Sequence, residues 1–238
     1  MQQAMDPKDF YKKQAAEQAV DSVRDGMIVG LGHGSTAIHA IRRIAARILT
    51  GELKDIRGVP CSLFVQGEAE KLGVPLTTLE HHPHVDLTID GADEIDPDLN
   101  VIKGGGGALI REKIVASASK RVIIVVDESK CSPRLGTLFP VPIEVIPFAL
   151  RPVRERIAAL AKEVTVRQGA DGKPFLSDQG NLILDGRFGP IPDLKGLAGE
   201  LDAIAGLVGH GLFLGIATDV IIAGAAGVRH QQRAASHT

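Results

Sequence analysis

The chain has 238 residues, 44% hydrophobic and 24% charged, and a net charge of -2. That length buries a substantial core in one large domain or two modest ones, and the balanced charge gives no support for a nucleic-acid or membrane surface. The two cysteines, Cys61 and Cys131, are too few and too far apart for a disulfide framework or a thiolate metal site, and read as reduced thiols.

The opening MQQAMDPKDFYKKQ is polar and lacks the apolar core of a secretory signal, and no apolar run reaches the ~18 residues of a membrane span. A cytoplasmic location is expected. Residues 6–23 predict a helix with Ala15, Ala16, Ala19, Val20 and Val23 on one face, closed by Gly26. Met27–Leu31 is short and apolar, as in a buried parallel strand. It runs into GLGHGSTA, after which Ser35–Leu49 shows helical spacing through Ile38, Ile41, Ala45 and Ile48. A strand, a glycine turn and a helix opening on Ser-Thr make an anion site, because free N–H groups and the positive dipole end converge there. His33 to Thr36 therefore read as a cradle for a small phosphate group. A dinucleotide fingerprint is incomplete, since Gly30 and Gly32 fit but Ser35 takes its sixth position, and a Walker lysine is missing.

A strand at Val59–Val65, a short helix at Glu68–Leu72 and an extended piece at Val74–Thr78 follow. His81, His82 and His84 lie in a proline-containing loop with no ligand-spaced partner but Asp86; they read as solvated or structural, and no metal site is assigned. The strand Val85–Ile89 then delivers DGADEIDPDLNVIKGGGGALIRE, Asp90 to Glu112, which concentrates carboxylates, a lysine and four consecutive glycines at a strand's C-terminal end. A helix at 108–119, with Ile110, Ile114 and Ala118 inward, leads to a buried strand at Arg121–Val126 and the polar DESK.

From Cys131 prolines 133, 140, 142 and 147 break the pattern. A strand (Val141–Val145), a helix (Arg151–Ala161), strands at Val164–Arg167 and Asn181–Asp185, and a helix (Asp193–Ile204) suggest a ferredoxin-like layer. Leu207–Leu214 and Asp219–Ala223 are read as strands returning to the first domain, with the tail fraying after Val228. The expected architecture is α/β: a Rossmann-like, mostly parallel sheet flanked by helices (1–130 and 207–238), with an inserted smaller α+β domain (131–206).

Carboxylates, a lysine and a phosphate cradle suit the isomerisation of a phosphosugar with neither cofactor nor metal. The barrier lies in the negative charge of an enediolate, so the site needs a base and preorganised positive groups at the oxygens. Glu112, a turn into the helix after the glycines, is the candidate base. Lys103 faces the oxyanion in this reading, and Asp90 and Asp93 shuttle hydroxyl protons and open the cyclic hemiacetal. Taken singly, each carboxylate is equally a turn former or a solvated surface group; gathered around a tetraglycine, they favour chemistry.

GLGHGSTA, DGADEID, KGGGGALIREKI, DESK, FPVPIEVIPFA and GLFLGIATDVIIAG together resemble ribose-5-phosphate isomerase of the A type, over essentially the whole chain. The resemblance implies interconversion of D-ribose 5-phosphate and D-ribulose 5-phosphate in the non-oxidative pentose phosphate pathway, without a cofactor, by a homodimer or homotetramer. It puts the catalytic roles on Glu112, Lys103, Asp90 and Asp93. Substrate-binding segments fall on His33, Gly34, Ser35 and Thr36, on Gly91 and Ala92 beside the aspartates, and on Gly104, Gly105 and Gly106 after Lys103. Lys130 of DESK matches the family's phosphate lysine, and Lys12 an N-terminal lysine that also reaches the phosphate. Two places depart from the family's pattern: His33 stands where threonine is usual, and CSLFVQ at 61–66 replaces small polar residues. They motivate the nearest rival, an isomerase of a related aldose phosphate. A non-catalytic phosphosugar sensor is the rival from another class; it calls for a DNA-binding helical module, and no basic N-terminal stretch is seen.

Overall fold

A computed structural model describes residues 6–233 and divides the chain into two compact units. The first comprises the chain up to Gly91, Ile114–Ser129 and the chain from Ile216; the second comprises Ala92–Lys113 and Lys130–Gly215. In chain order the elements are α1 (Pro7–Val20), β1 (Ile28–Leu31), α2 (Ala37–Leu49), β2 (Arg57–Pro60), α3 (Leu63–Lys71), β3 (Val85–Asp90), β4 (Glu94–Ile95), β5 (Val101–Ile102), α4 (Leu109–Ser117) and β6 (Ser119–Asp127). There follow β7 (Val141–Val145), α5 (Leu150–Ala158), β8 (Glu163–Val166), β9 (Leu182–Arg187), α6 (Leu194–Asp202), β10 (Leu207–His210), β11 (Leu212–Phe213), β12 (Asp219–Gly224) and β13 (Gly227–Gln232). Among the described residues no helix is long and apolar enough to cross a membrane.

The first unit holds a sheet ordered β13-β12-β6-β3-β1-β2, parallel throughout except for β13 at its edge. From β1 the chain winds through α2 to β2 on one side, then returns to place β3 on the other. The turns after β1 and β3 therefore lie side by side at the C-terminal edge, where open parallel sheets bind ligands. The inner strands β1, β3, β6 and β12 are largely buried and apolar, and α1 and α2 pack Ala15, Ala19, Ile41 and Ile44 into that core. Asp6 caps α1 by accepting from the Lys8 amide at 3.0 Å, with Pro7 at the first helical position.

The second unit contains a sheet ordered β10-β7-β9-β8, antiparallel at every pairing. With α5 between β7 and β8 and α6 between β9 and β10, this is the ferredoxin-like arrangement expected from the sequence. Val141, Ile143, Val145, Val153, Ile157 and Leu201 form its core. A three-stranded sheet, β11-β5-β4, completes the unit.

Four expectations are corrected. The strand expected at 59–65 stops at Pro60, because the Ser62 hydroxyl accepts from the Val65 amide at 3.1 Å and starts α3 there. In α4 the buried face carries Leu109, Glu112, Val115 and Ala116, whereas Ile114 is 51% exposed. Scoring apolar residues alone misplaces that face, since one of its members is a carboxylate. The strand expected at 207–214 is two strands, β10 and β11, both in the second unit. Gly211 separates them: its amide donates to Pro142 O at 2.7 Å and its carbonyl accepts from the Lys103 amide at 2.9 Å. Nor does the chain fray after Val228, since β13 pairs with β12 as far as Gln232; residues 234–238 lie outside the described residues.

Asp219 explains the anchoring of β13. Its buried carboxylate accepts from Arg121 Nε (2.9 Å) and Nη2 (2.8 Å), Thr218 Oγ1 (2.6 Å) and Gln232 Nε2 (3.1 Å), and pairs with His230 Nε2 (2.8 Å). Burial alone would raise its pKa, but these hydrogen bonds outweigh burial and hold the carboxyl well below the usual range. A depressed native pKa stabilises the fold above the unfolded value of about 3.9, and that contribution is lost as pH falls toward the native value. Asp219→Asn should therefore lower stability in urea at pH 7 by about 1.5–3 kcal/mol, the range for hydrogen bonds to a charged group. The gap between variant and parent should narrow as pH falls below ~4.

Candidate active site

In the first unit the site begins where β1 ends. The Gly32 amide donates to Ile89 O at 3.0 Å, and a Cβ on Gly32 would lie 2.3 Å from Asp90 Oδ1, so only glycine admits that carboxylate. Asp90 is 1% exposed, and its Oδ1 accepts from the amides of His33 (3.0 Å) and Gly91 (2.7 Å). One charge thus ties the turn after β1 to the turn after β3 by charge-assisted bonds. Gly34 takes φ +107°, Ser35 is exposed and Thr36 buried, and the first helical bond of this turn runs from Ile38 N to Gly34 O. The amides before that bond sit at the positive end of α2.

The His33 imidazole reaches Ser62 Oγ through Nδ1 at 2.9 Å, and its ring lies 5.6 Å from that of Phe64, tilted by 60°. The two departures from the expected pattern, at 33 and at 61–66, are therefore in contact with each other. Lys12 lies half-buried on α1. His82 Nδ1 pairs with Thr77 Oγ1 at 2.7 Å, and His81 and His84 are exposed. Cys61 is buried and Cys131 exposed, and neither is in a disulfide.

In the second unit the candidate residues begin at Ala92. Its first turn presents Asp93, half-buried, whose amide donates to Ile102 O at 2.8 Å and whose Oδ2 accepts from the Gly105 amide at 2.7 Å. β4 pairs antiparallel with β5, and β5 leads directly into Lys103. Lys103 is 2% exposed and Glu112 4% exposed; Lys103 Nζ donates to Glu112 Oε1 at 3.1 Å and stands 5.7 Å from the centre of the Phe213 ring. Lys113 Nζ lies 5.0 Å from the same ring and donates to His210 O at 2.6 Å. Burial pushes Lys113 down to about 8, with Asp202 opposing the shift. Burial and the neighbouring Lys113 push His210 down to about 4.

The glycines are dictated by space. Gly104 adopts φ +100°, and a Cβ there would lie 2.7 Å from Leu109 Cβ. A Cβ on Gly105 would lie 2.5 Å from Asp93 Oδ1, and one on Gly107 (φ +82°) 2.4 Å from the Phe175 ring. Gly106 is exposed, and Lys130 is half-buried at the end of a 3-10 turn. Among the described residues neither Lys130 nor Lys12 forms an ion pair.

So the structure joins His33, Asp90 and Gly91 in one unit, and Asp93 with Gly105 and Lys103 with Glu112 in the other. Two further groups escaped the sequence reading. Glu94, 0% exposed, accepts from Ser132 Oγ (2.6 Å) and from the amides of Gly136, Thr137 and Leu138 (3.1 Å each) and Phe139 (2.9 Å). Arg167 donates through Nη1 to Gly104 O (2.7 Å) and Gly105 O (3.0 Å), while Nε (2.9 Å) and Nη2 pair with Asp185. The available signal was that two adjacent predicted strands, 164–167 and 181–185, end in opposite charges.

The family model described as ribose 5-phosphate isomerase A (phosphoriboisomerase A) matches residues 57–227. A ribose-5-phosphate isomerase A of Chloroflexus aurantiacus is 56% identical over 219 residues, covering 92% of each chain. Among solved structures, a D-ribose-5-phosphate isomerase in complex with phospho-erythronic acid superposes with a TM-score of 0.93 at 37% identity, covering 95% of this chain and 99% of that one. The ribose 5-phosphate isomerase of Plasmodium falciparum gives 0.91 at 40% identity, covering 94% and 98%.

Glu94→Gln supplies a test of the geometry around Asp93. It puts an NH2 group among amides that all donate, and should destabilise the protein by about 2–4 kcal/mol, as expected when buried donors lose an ionised acceptor. Denaturant unfolding measures the loss, and hydrogen exchange should show it concentrated at the amides of 136–139.

Proposed function

The chain belongs to the ribose 5-phosphate isomerase A family, and from that membership we propose how its own side chains divide the reaction among them. It interconverts D-ribose 5-phosphate and D-ribulose 5-phosphate, a step of the non-oxidative pentose phosphate pathway. The proton on C2 of the open-chain aldose must leave and return to C1, with negative charge gathering on the two oxygens between. Glu112 is the base. The observation that carries this assignment is its buried pairing with Lys103 at 3.1 Å.

When Glu112 takes the proton its own charge disappears, and an equal charge arises on the substrate oxygens. Lys103 then exchanges one anionic partner for another, so no net charge is created in a water-poor site. That substitution lowers the barrier because the counter-ion is already in place and needs no reorganisation. Asp93 manages the hydroxyl protons and ring opening, and Asp90 holds the strand-end turns and shares that task. Phosphate binding falls to His33, Gly34, Ser35 and Thr36 with Lys130 and Lys12, while Gly91, Ala92, Gly104, Gly105 and Gly106 give the sugar a close backbone approach. The relative bound to phospho-erythronic acid supports this reading, since a carboxylate imitates the planar, delocalised charge of an enediolate. A homodimer or homotetramer in the cytoplasm completes the assignment.

Glu112→Gln should lower kcat by about 10²–10⁴-fold, the usual worth of a general base, with KM changed little. A coupled ribulose 5-phosphate assay measures it, and near-normal turnover would remove Glu112 from the chemistry. Lys130→Ala should instead raise KM more than it lowers kcat, since phosphate binding is largely shared by ground and transition states. The opposite pattern in the same assay would move Lys130 into the chemical step.

A further inference from the structure

We propose that Arg167 is a positioning residue that orients Asp93 through the peptide bond between Gly104 and Gly105. The proposal deepens the assignment of Asp93 made above and rests on it. Three observations converge. Arg167 Nη1 donates to two consecutive carbonyls, Gly104 O at 2.7 Å and Gly105 O at 3.0 Å. The Gly105 amide, on the far end of the first of those peptides, donates to Asp93 Oδ2 at 2.7 Å. Asp185 holds the remaining guanidinium nitrogens from β9, a diagonal neighbour across the β8–β9 pair.

In a trans peptide the C=O and the following N–H point in opposite directions. With the Gly104 carbonyl turned to the guanidinium, the Gly105 amide faces away from Arg167, toward Asp93. A run of glycines has no side chains to hold this orientation, and it is the most permissive backbone available. Gripping two adjacent carbonyls opposes a flip of either peptide. A cation on the carbonyl also polarises the peptide and strengthens the hydrogen bond at its other end. An arginine present only to pair with Asp185 would have no reason to aim its third nitrogen at the loop.

The test is a double-mutant cycle on turnover of ribose 5-phosphate by the full chain, with thermal melts alongside. Arg167→Met should lower kcat by about 10–100-fold, the scale of a small misplacement of a reacting group, with KM little changed. In an Asp93→Ala background the same change should cost less than about twofold, because residues acting through one another are not additive. Equal losses in both backgrounds would overturn the proposal and leave Arg167 a structural residue. Asp93→Ala with normal turnover would overturn the assignment of Asp93 itself. An impaired Asp93→Ala beside an unimpaired Arg167→Met would overturn only the role of Arg167. If Arg167→Met does not fold, Arg167→Lys keeps a cation against Asp185 but cannot also serve two carbonyls. It should show a smaller loss of kcat that vanishes in the Asp93→Ala background, and full activity would overturn the proposal.

Discussion

Two opposite charges taken out of water at Lys103 and Glu112 are the constraint around which the second unit is built. Removing either ion from water costs several kcal/mol, and their attraction repays this only with good geometry. The geometry here is imposed from outside the pair. Lys103 is fixed at the end of β5 by its amide's bond to Gly211 O, and Gly211 is fixed by its own amide's bond to Pro142 O. A Cβ on Gly211 would lie 2.2 Å from Lys103 O, so the approach that seats the lysine depends on the absence of a side chain elsewhere in the chain. Glu112 arrives independently, on the buried face of α4.

The carboxylates of this short region show how the same chemical group is given different work by its neighbours. Glu94 is spent entirely on four backbone amides and a hydroxyl, and holds the chain at 132–139 against β4. Asp90 gives one oxygen to two amides and joins two strand ends. Asp93 gives one oxygen to a single amide, and Glu112 meets a cation. In the proposed division of labour Glu94 is structural and Glu112 is the base, although both are buried acids in one motif-rich stretch.

What the sequence disclosed was what is encoded locally. β3 was readable from an apolar run, the turn between β1 and α2 from its glycines and small residues, and the ferredoxin-like layer from the order of its elements. Lys103 and Glu112, which the structure pairs, stood out because they flank four glycines. What stayed hidden was set by partners remote in the chain. Nothing near Ser62 announces a helix cap in a β-rich run, and Gly211 divides a strand because Pro142 engages its amide and Lys103 its carbonyl. β13 looked like a fraying tail because the residue that retains it, Asp219, lies one strand away. The grip of Arg167 on the glycine loop was invisible because its targets are main-chain carbonyls, which carry no mark in the sequence.

The second unit is assembled from two separate excursions of the chain, Ala92–Lys113 and Lys130–Gly215, each leaving and rejoining the parallel sheet's half. The shorter excursion carries Asp93, Lys103 and Glu112; the longer carries Arg167, Phe213 and the loop that Glu94 grips. Neither excursion is a heritable module. Recombination that exchanged the longer one would discard the arginine, the aromatic ring and the clasping glycine that seat residues encoded in the shorter, and leave the reactive groups behind without their frame. The gene can vary around this unit, but it cannot trade it in one piece.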